Sequence, residues 1–226
     1  MNLSDICLPI ENGDSERFLL KSFYHHKLFI SSTDFTKDCP YSEYDLSKEL
    51  LRLLLKYPCK DLMEIILEDR ELFPIEKRDV PQFSDLRKAF YNVPYILMNC
   101  GIDGVGYAQM GYILREKQRS EVADKKYGEN HIKTAEQLGL CYVKGYKSYL
   151  TDLGKISVSL PEKEKELLLP RLCLYIPFIQ NYFLSGQDDE FLNKQFSILS
   201  PSTIGRRRPN VNTLIRIINK AIEDGI

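Results

Sequence analysis

The stretch that most restricts what this chain can become is residues 107–154, where three helix-forming segments run directly into a short hairpin. "YAQMGYILRE" (Tyr107–Glu116) reads as a first helix, "RSEVADKKYG" (Arg119–Gly128) as a short second and "NHIKTAEQLGL" (Asn130–Leu140) as a third. Asn130 suits the cap of the third, because its side chain can accept from a free amide of the first turn. Gly139 suits its end, where a residue without Cβ turns left-handed at little cost. Ile132, Ala135 and Leu138 share one side of that helix and leave His131, Lys133, Thr134 and Gln137 on the others. Two β-prone runs, Cys141–Val143 and Ser148–Thr151, then flank a Lys-Gly-Tyr-Lys turn.

Three helices followed by a basic hairpin is the order of a winged helix, in which a recognition helix enters the major groove of DNA and wing lysines reach neighbouring phosphates. On that reading His131, Lys133, Thr134 and Gln137 are candidates for base edges, and Lys144, Tyr146 and Lys147 for the backbone. A second unit of the same kind is expected near the end. Ser200-Pro201 opens a short helix carrying Ser202, Thr203, Arg206, Arg207 and Arg208; Pro209 ends it, and Asn210 caps an amphipathic helix that leaves Asn212, Thr213, Arg216 and Lys220 outward. Between Gly205 and Lys220 stand five positive residues and no acidic one, a density suited to consecutive phosphates. The bland alternative is that the arginines bond carbonyls at their own helix's end.

The expected fold class is therefore mainly α (α+β): winged helix-turn-helix units with an N-terminal α+β region. The organisation expected is 1–100 for that region, 101–160 for the winged helix and 161–226 for a helical domain with the second helix-turn-helix. In the first hundred residues, Leu19–Ser32 has the aromatic and β-branched content of a strand, alone or after a helix. Ser42–Tyr57 is a helix with Leu46, Leu50, Leu53 and Leu54 on one face, capped by Ser42 with Asp45. A further helix follows Pro58, and another is interrupted by Pro94. Ser159 and Glu162 stand at capping-box spacing, and Pro177 should bend the apolar run that follows.

Composition narrows the class of function only a little. The 226 residues are 28% charged with a formal net charge of −1; the charge is uneven, mildly acidic before residue 100 and mildly basic after it. No run approaches the ~18 uninterrupted apolar residues of a membrane span, and the acidic start lacks the basic and apolar regions of a secretory signal, so a cytoplasmic protein is expected. Cys7, Cys39, Cys59, Cys100, Cys141 and Cys173 are scattered, with no Cys-x-x-Cys pair, and read as free thiols. No phosphate-cradling glycine loop is present, so neither ATP nor a dinucleotide is implied.

The segment "AEQLGLCYVKGYKSYLTDLGKISVSLP" resembles winged-helix modules in the DNA-recognition regions of type II, particularly type IIS, restriction endonucleases. "LSPSTIGRRRPNVNTLIRII" is similar to a companion motif of restriction-associated proteins, except that Leu214 stands where a tryptophan is common. The resemblance covers about the last half of the chain. It implies a sequence-specific double-stranded DNA-binding protein, the recognition component of a restriction or defence system or a regulator, with a homodimer partner or a separate nuclease subunit. The alternative it leaves open is a type II restriction endonuclease with a divergent centre in the N-terminal half, which would take Mg²⁺. The residues offer poor material for one: Asp124-Lys125-Lys126 with Asp103 upstream lies in a hydrophilic helix rather than on a strand, and His25, Lys27 and Asp34 are misspaced for a histidine-dependent phosphodiesterase. No catalytic, cofactor or metal residue is therefore assigned.

Overall fold

The computed structural model describes residues 8, 10–26, 41–100, 103–115 and 119–226. The fold is mainly α. Among the described residues α1 (Gly13–His26), α2 (Glu43–Lys56) and α3 (Cys59–Leu67) lead to a π-helical turn (Lys88–Asn92) that passes into α4 (Val93–Cys100). β1 (Val105–Gly106), α5 (Tyr107–Leu114), α6 (Glu121–Gln137), β2 (Cys141–Lys144) and β3 (Lys147–Leu150) follow, and then α7 (Asp152–Val158), α8 (Glu162–Cys173), α9 (Pro177–Leu184), α10 (Asp189–Phe196) and α11 (Pro201–Glu223).

Local chemistry accounts for most of these boundaries. Ser42 caps α2 by accepting from the Asp45 amide at 3.1 Å, and Leu46, Leu50, Leu53 and Leu54 are fully buried, each worth roughly 2–3 kcal/mol of transfer free energy. Leu19 is helical where a strand was expected, because Asn12 caps α1 through the Ser15 amide at 2.8 Å. Its Ser15, Glu16, Leu19 and Leu20 then turn inward at helical spacing. Residues 27–32 of the expected strand lie outside the described ones, and no strand occurs among the described residues of 1–100. Pro94 does not interrupt its helix. The preceding turn widens so that the Val93 amide reaches back to the Lys88 carbonyl, and Pro94 falls in the first turn of α4, where a missing N–H matters little. Ser159 ends α7 instead of opening a capping box, and Pro161 takes the cap position of α8 with no side-chain bond.

Two expected helix pairs are single helices. Arg119–Gly128 and Asn130–Leu140 fuse into α6, capped by Ser120 and ended at Gly139 with φ +75°. Gly128 is needed inside it: a Cβ there would lie 2.0 Å from the Tyr107 carbonyl oxygen, and one on Gly111 would lie 1.8 Å from that of Asp124. Close approach of 107 to 128 and of 111 to 124 brings the backbones of α5 and α6 into contact. The second helix-turn-helix expected at 200–222 is likewise absent, since α11 runs unbroken through Pro209. Pro209 and Gly205 are both exposed, so the carbonyl deprived of its helical donor can be hydrated.

Apolar packing ignores the expected division at residues 100 and 160. One core joins Leu19, Leu50 and Phe90 of the N-terminal segment to Leu172, Phe178, Leu214 and Ile218 of the C-terminal one. A smaller core, with Val93, Val105, Met110, Ile132 and Cys141, lies within 93–150. Its sheet has the order β1-β3-β2, antiparallel throughout, with Val105 opposite Ser148 and Cys141 opposite Leu150. Cys59, Cys141 and Cys173 are buried free thiols and Cys100 is half-buried. Among the described residues no single helix is long and apolar enough to cross a membrane; α8 and α9 reach that length and composition only when taken together, and they meet at a 68° bend.

Candidate nucleic-acid interface

The residues expected to read DNA divide sharply by exposure. His131 and Thr134 are fully buried, and they face residues 77–85, a stretch without regular structure that crosses α6. The His131 Nδ1–H donates to the Tyr127 carbonyl at 2.8 Å, which leaves Nε2 to accept from the Ser84 hydroxyl at 3.1 Å. This is the pattern of a neutral ring, and burial favours it. Burial pushes its pKa below the ordinary 6.5, against the pull of the Tyr127 carbonyl, and the nearby Lys88 lowers it further. The Thr134 hydroxyl is shared between the Gln82 and Asn130 carbonyls at 3.2 and 3.1 Å. Gln137 Nε2 donates to the carbonyls of Arg78 and Asp79 at 3.1 and 3.2 Å.

The middle arginine of the block completes the same arrangement from the other side. Arg207 Nη1 donates to the carbonyls of Lys77 and Val80 at 2.6 and 2.9 Å. The carbonyls of residues 77, 78, 79, 80 and 82 thus find side-chain donors on α6 and α11. A coil held against two helices by the buried Val80 and Phe83 has no strand or helix partner for its backbone, and these donors supply one. The correction to the sequence reading is physical: His131 and Thr134, fully buried against residues 77–85, are not at the surface where base edges could be met, and Gln137 and Arg207, half-exposed, spend donors on the same stretch. Arg208 is occupied as well, bonding Asn193 Oδ1 at 2.7 Å and lying over the Phe196 ring at 4.6 Å. Arg206 is exposed and reaches Ser202 and Thr203 of its own helix at 3.3 Å. Thr213 donates to the Pro209 carbonyl at 2.8 Å. Asn212 and Arg216 stay exposed on a shallow groove shared with Asp189, Glu223 and Asp224, acids that offset the arginine's charge.

The hairpin tip and the outer side of α6 are accessible as well, with no acidic residue at the tip. Gly145 and Tyr146 both take positive φ, 56° and 65°, the conformation of a tight two-residue hairpin turn. This lifts Tyr146 to 85% exposure between Lys144 and Lys147, both exposed. Tyr142 and Tyr149 stack across the hairpin with centroids 5.4 Å apart and stiffen its base. Lys147 Nζ also bonds the Asp103 carbonyl at 3.0 Å, which leaves its charge unneutralised. On α6, Lys125, Lys126 and Lys133 face solvent with Val122, which is 80% exposed; Glu129 pairs with Lys133 at 2.6 Å and Lys126 at 3.1 Å. Val122, Lys125 and Lys126 were not among the expected DNA contacts, because α6 was divided at Gly128 and only its second half was read as the recognition helix. Taken as one helix from Ser120, the sequence puts Asp124, Gly128, His131, Ile132 and Ala135 at 4, 3, 1 and 3 spacing, one inward stripe.

Of the residues considered for cleavage, Asp124 and Lys126 point to different sides of their helix. Asp124 is buried against α5 and faces Arg115 at 3.5 Å, whereas Lys126 points to solvent. His25 is in α1, and Lys27 and Asp34 lie outside the described residues. Among the described residues no three His, Cys, Asp or Glu side chains are grouped to hold a metal ion. Comparisons with family models, with curated proteins and with solved structures each give no match.

Proposed function

We propose that this protein binds double-stranded DNA through the β2–β3 hairpin tip and the outer side of α6. The observation that carries the reading is the tip itself: Lys144, Tyr146 and Lys147 are exposed around a two-residue turn with no acidic residue among them. The element order supports it, since a helix, a short strand, two helices and a hairpin with sheet order β1-β3-β2 follow the connectivity expected of a winged helix. Lys144 and Lys147 supply phosphate contacts, Tyr146 an aromatic face for a sugar or groove edge, and Lys125, Lys126 and Lys133 a second line of charge. The resemblance of residues 135–161 to restriction-enzyme recognition modules makes the recognition component of a restriction or defence system the favoured setting, with a regulator as the other.

The test is fluorescence anisotropy of a labelled 20-base-pair duplex against salt. Three or four neutralised phosphates give a log–log slope of about −3 to −4. Lys144→Ala with Lys147→Ala should flatten that slope by about 2 and leave the melting temperature unchanged. A slope near zero in the unaltered protein would refute the reading.

A further inference from the structure

The tip of the β2–β3 hairpin departs from the sequence that would make it most stable. A two-residue turn with both φ positive favours Asn, Asp or Gly at its two central positions. Gly145 fits the first, but Tyr146 occupies the second at φ 65°, where a bulky side chain is rare. The other non-glycine residues with positive φ among the described ones, Asp69 and Gln187, are both polar. Lys144 stands directly opposite Lys147 in the ladder, a pairing in which like charges repel. The Tyr146 ring stays in solvent, so no packing offsets its place in the turn. Breaches of local preference that bring the fold no gain collect at functional positions.

A separate observation concerns what is left to tell one duplex from another. Of the side chains expected to meet base edges, His131 and Thr134 are buried, Gln137 gives its Nε2 to the carbonyls of residues 78 and 79, and Lys133 is paired with Glu129. Direct readout from α6 is therefore poor. Lys144 and Lys147 suit phosphates, which carry no sequence information. The exposed group at the tip that can discriminate is the ring.

We propose that Tyr146 is a wedge that enters the minor groove and inserts between two base pairs, so that this protein selects duplexes that unstack easily. The inference rests on the DNA-binding reading above and adds to it the kind of DNA preferred. The flanking lysines hold the phosphates on either side of the groove. The ring replaces the stacking lost at the opened step, since an aromatic face stacks on any base, and inserted apolar side chains kink a duplex in this way. Opening is easiest at pyrimidine–purine steps and at mismatches.

The test is anisotropy of the full-length chain on two labelled 20-base-pair duplexes, identical except that one has a central mismatch. The expected result is about tenfold tighter binding to the mismatched duplex, whose central step is already partly open. Tyr146→Asn, which suits a positive φ, should cut that preference below about twofold and keep both the salt slope and the melting temperature. Tyr146→Phe should retain the preference. Equal affinity of the unaltered protein for the two duplexes, with salt dependence intact, overturns the wedge and leaves DNA binding standing. A preference that survives in Tyr146→Asn, or equal weakening on both duplexes, overturns it too. Absence of salt-dependent binding to either duplex removes the DNA reading and the wedge together.

Discussion

At the scale of single residues, the polar groups of α6 and α11 act as donors for an irregular backbone. Removing Arg207 strands two carbonyls, so Arg207→Ala should cost about 2–4 kcal/mol, seen in chemical denaturation, with DNA affinity of the folded fraction unchanged. Two titrating groups give pH signatures of opposite sign. His131 is held neutral with a folded pKa below 6.5, so its unfolded form binds more protons in acid. Its stabilisation is complete above 6.5 and is lost as pH falls through the lower folded value. Glu43, in the first turn of α2, has its pKa raised from 4.5 to about 7, first by burial and then by Asp152, against the opposing pull of Lys155. Its contribution is complete below 4.5 and disappears as pH rises through 7. Glu43→Gln should therefore raise the melting temperature at pH 8 relative to the unaltered protein and change little at pH 4. A larger gain at pH 4 than at pH 8 would show that the sign is wrong.

At the scale of elements, the α5–α6 hairpin depends on two glycines whose hydrogens are in backbone contact across the pair. Gly128→Ala places a methyl 2.0 Å from the Tyr107 carbonyl oxygen, and relief requires the helices to separate. The expected loss is about 3 kcal/mol or more, measurable by thermal melting; a change under 1 kcal/mol would mean that the helices are not packed this closely. The same glycine explains where sequence reading worked and where it failed. Elements bounded by local chemistry were legible: the Ser42 cap, the Leu46–Leu54 face, the Gly139 terminator and the Lys-Gly-Tyr-Lys hairpin all stand as their residues suggest. Elements whose breakers serve tertiary contacts were not. Gly128 looks like a terminator and is a close-packing residue, and Pro209 looks like a helix end and sits on a solvated flank. The inward role of His131, Thr134, Gln137 and Arg207 was hidden for another reason. Nothing local in "FPIEKRDVPQFSD" announces that its carbonyls would need donors from residues 52 to 130 positions away.

At the scale of the whole molecule, the N- and C-terminal segments share one core, and residues 77–85 tie that core to the unit carrying α6 and the hairpin. The central claim is a proposed division of labour: inward polar residues hold the fold together, and the outward lysines are the ones proposed to meet nucleic acid. It is tested most directly by measuring melting and duplex affinity on the same samples of two double variants. Lys144→Ala with Lys147→Ala should lose affinity by roughly an order of magnitude at 100 mM salt and melt as the unaltered protein does. Gln137→Ala with Arg207→Ala should melt lower and bind, in its folded fraction, with unchanged affinity. The reverse pattern, affinity lost with Gln137 and Arg207 while melting is unaffected, would contradict the account.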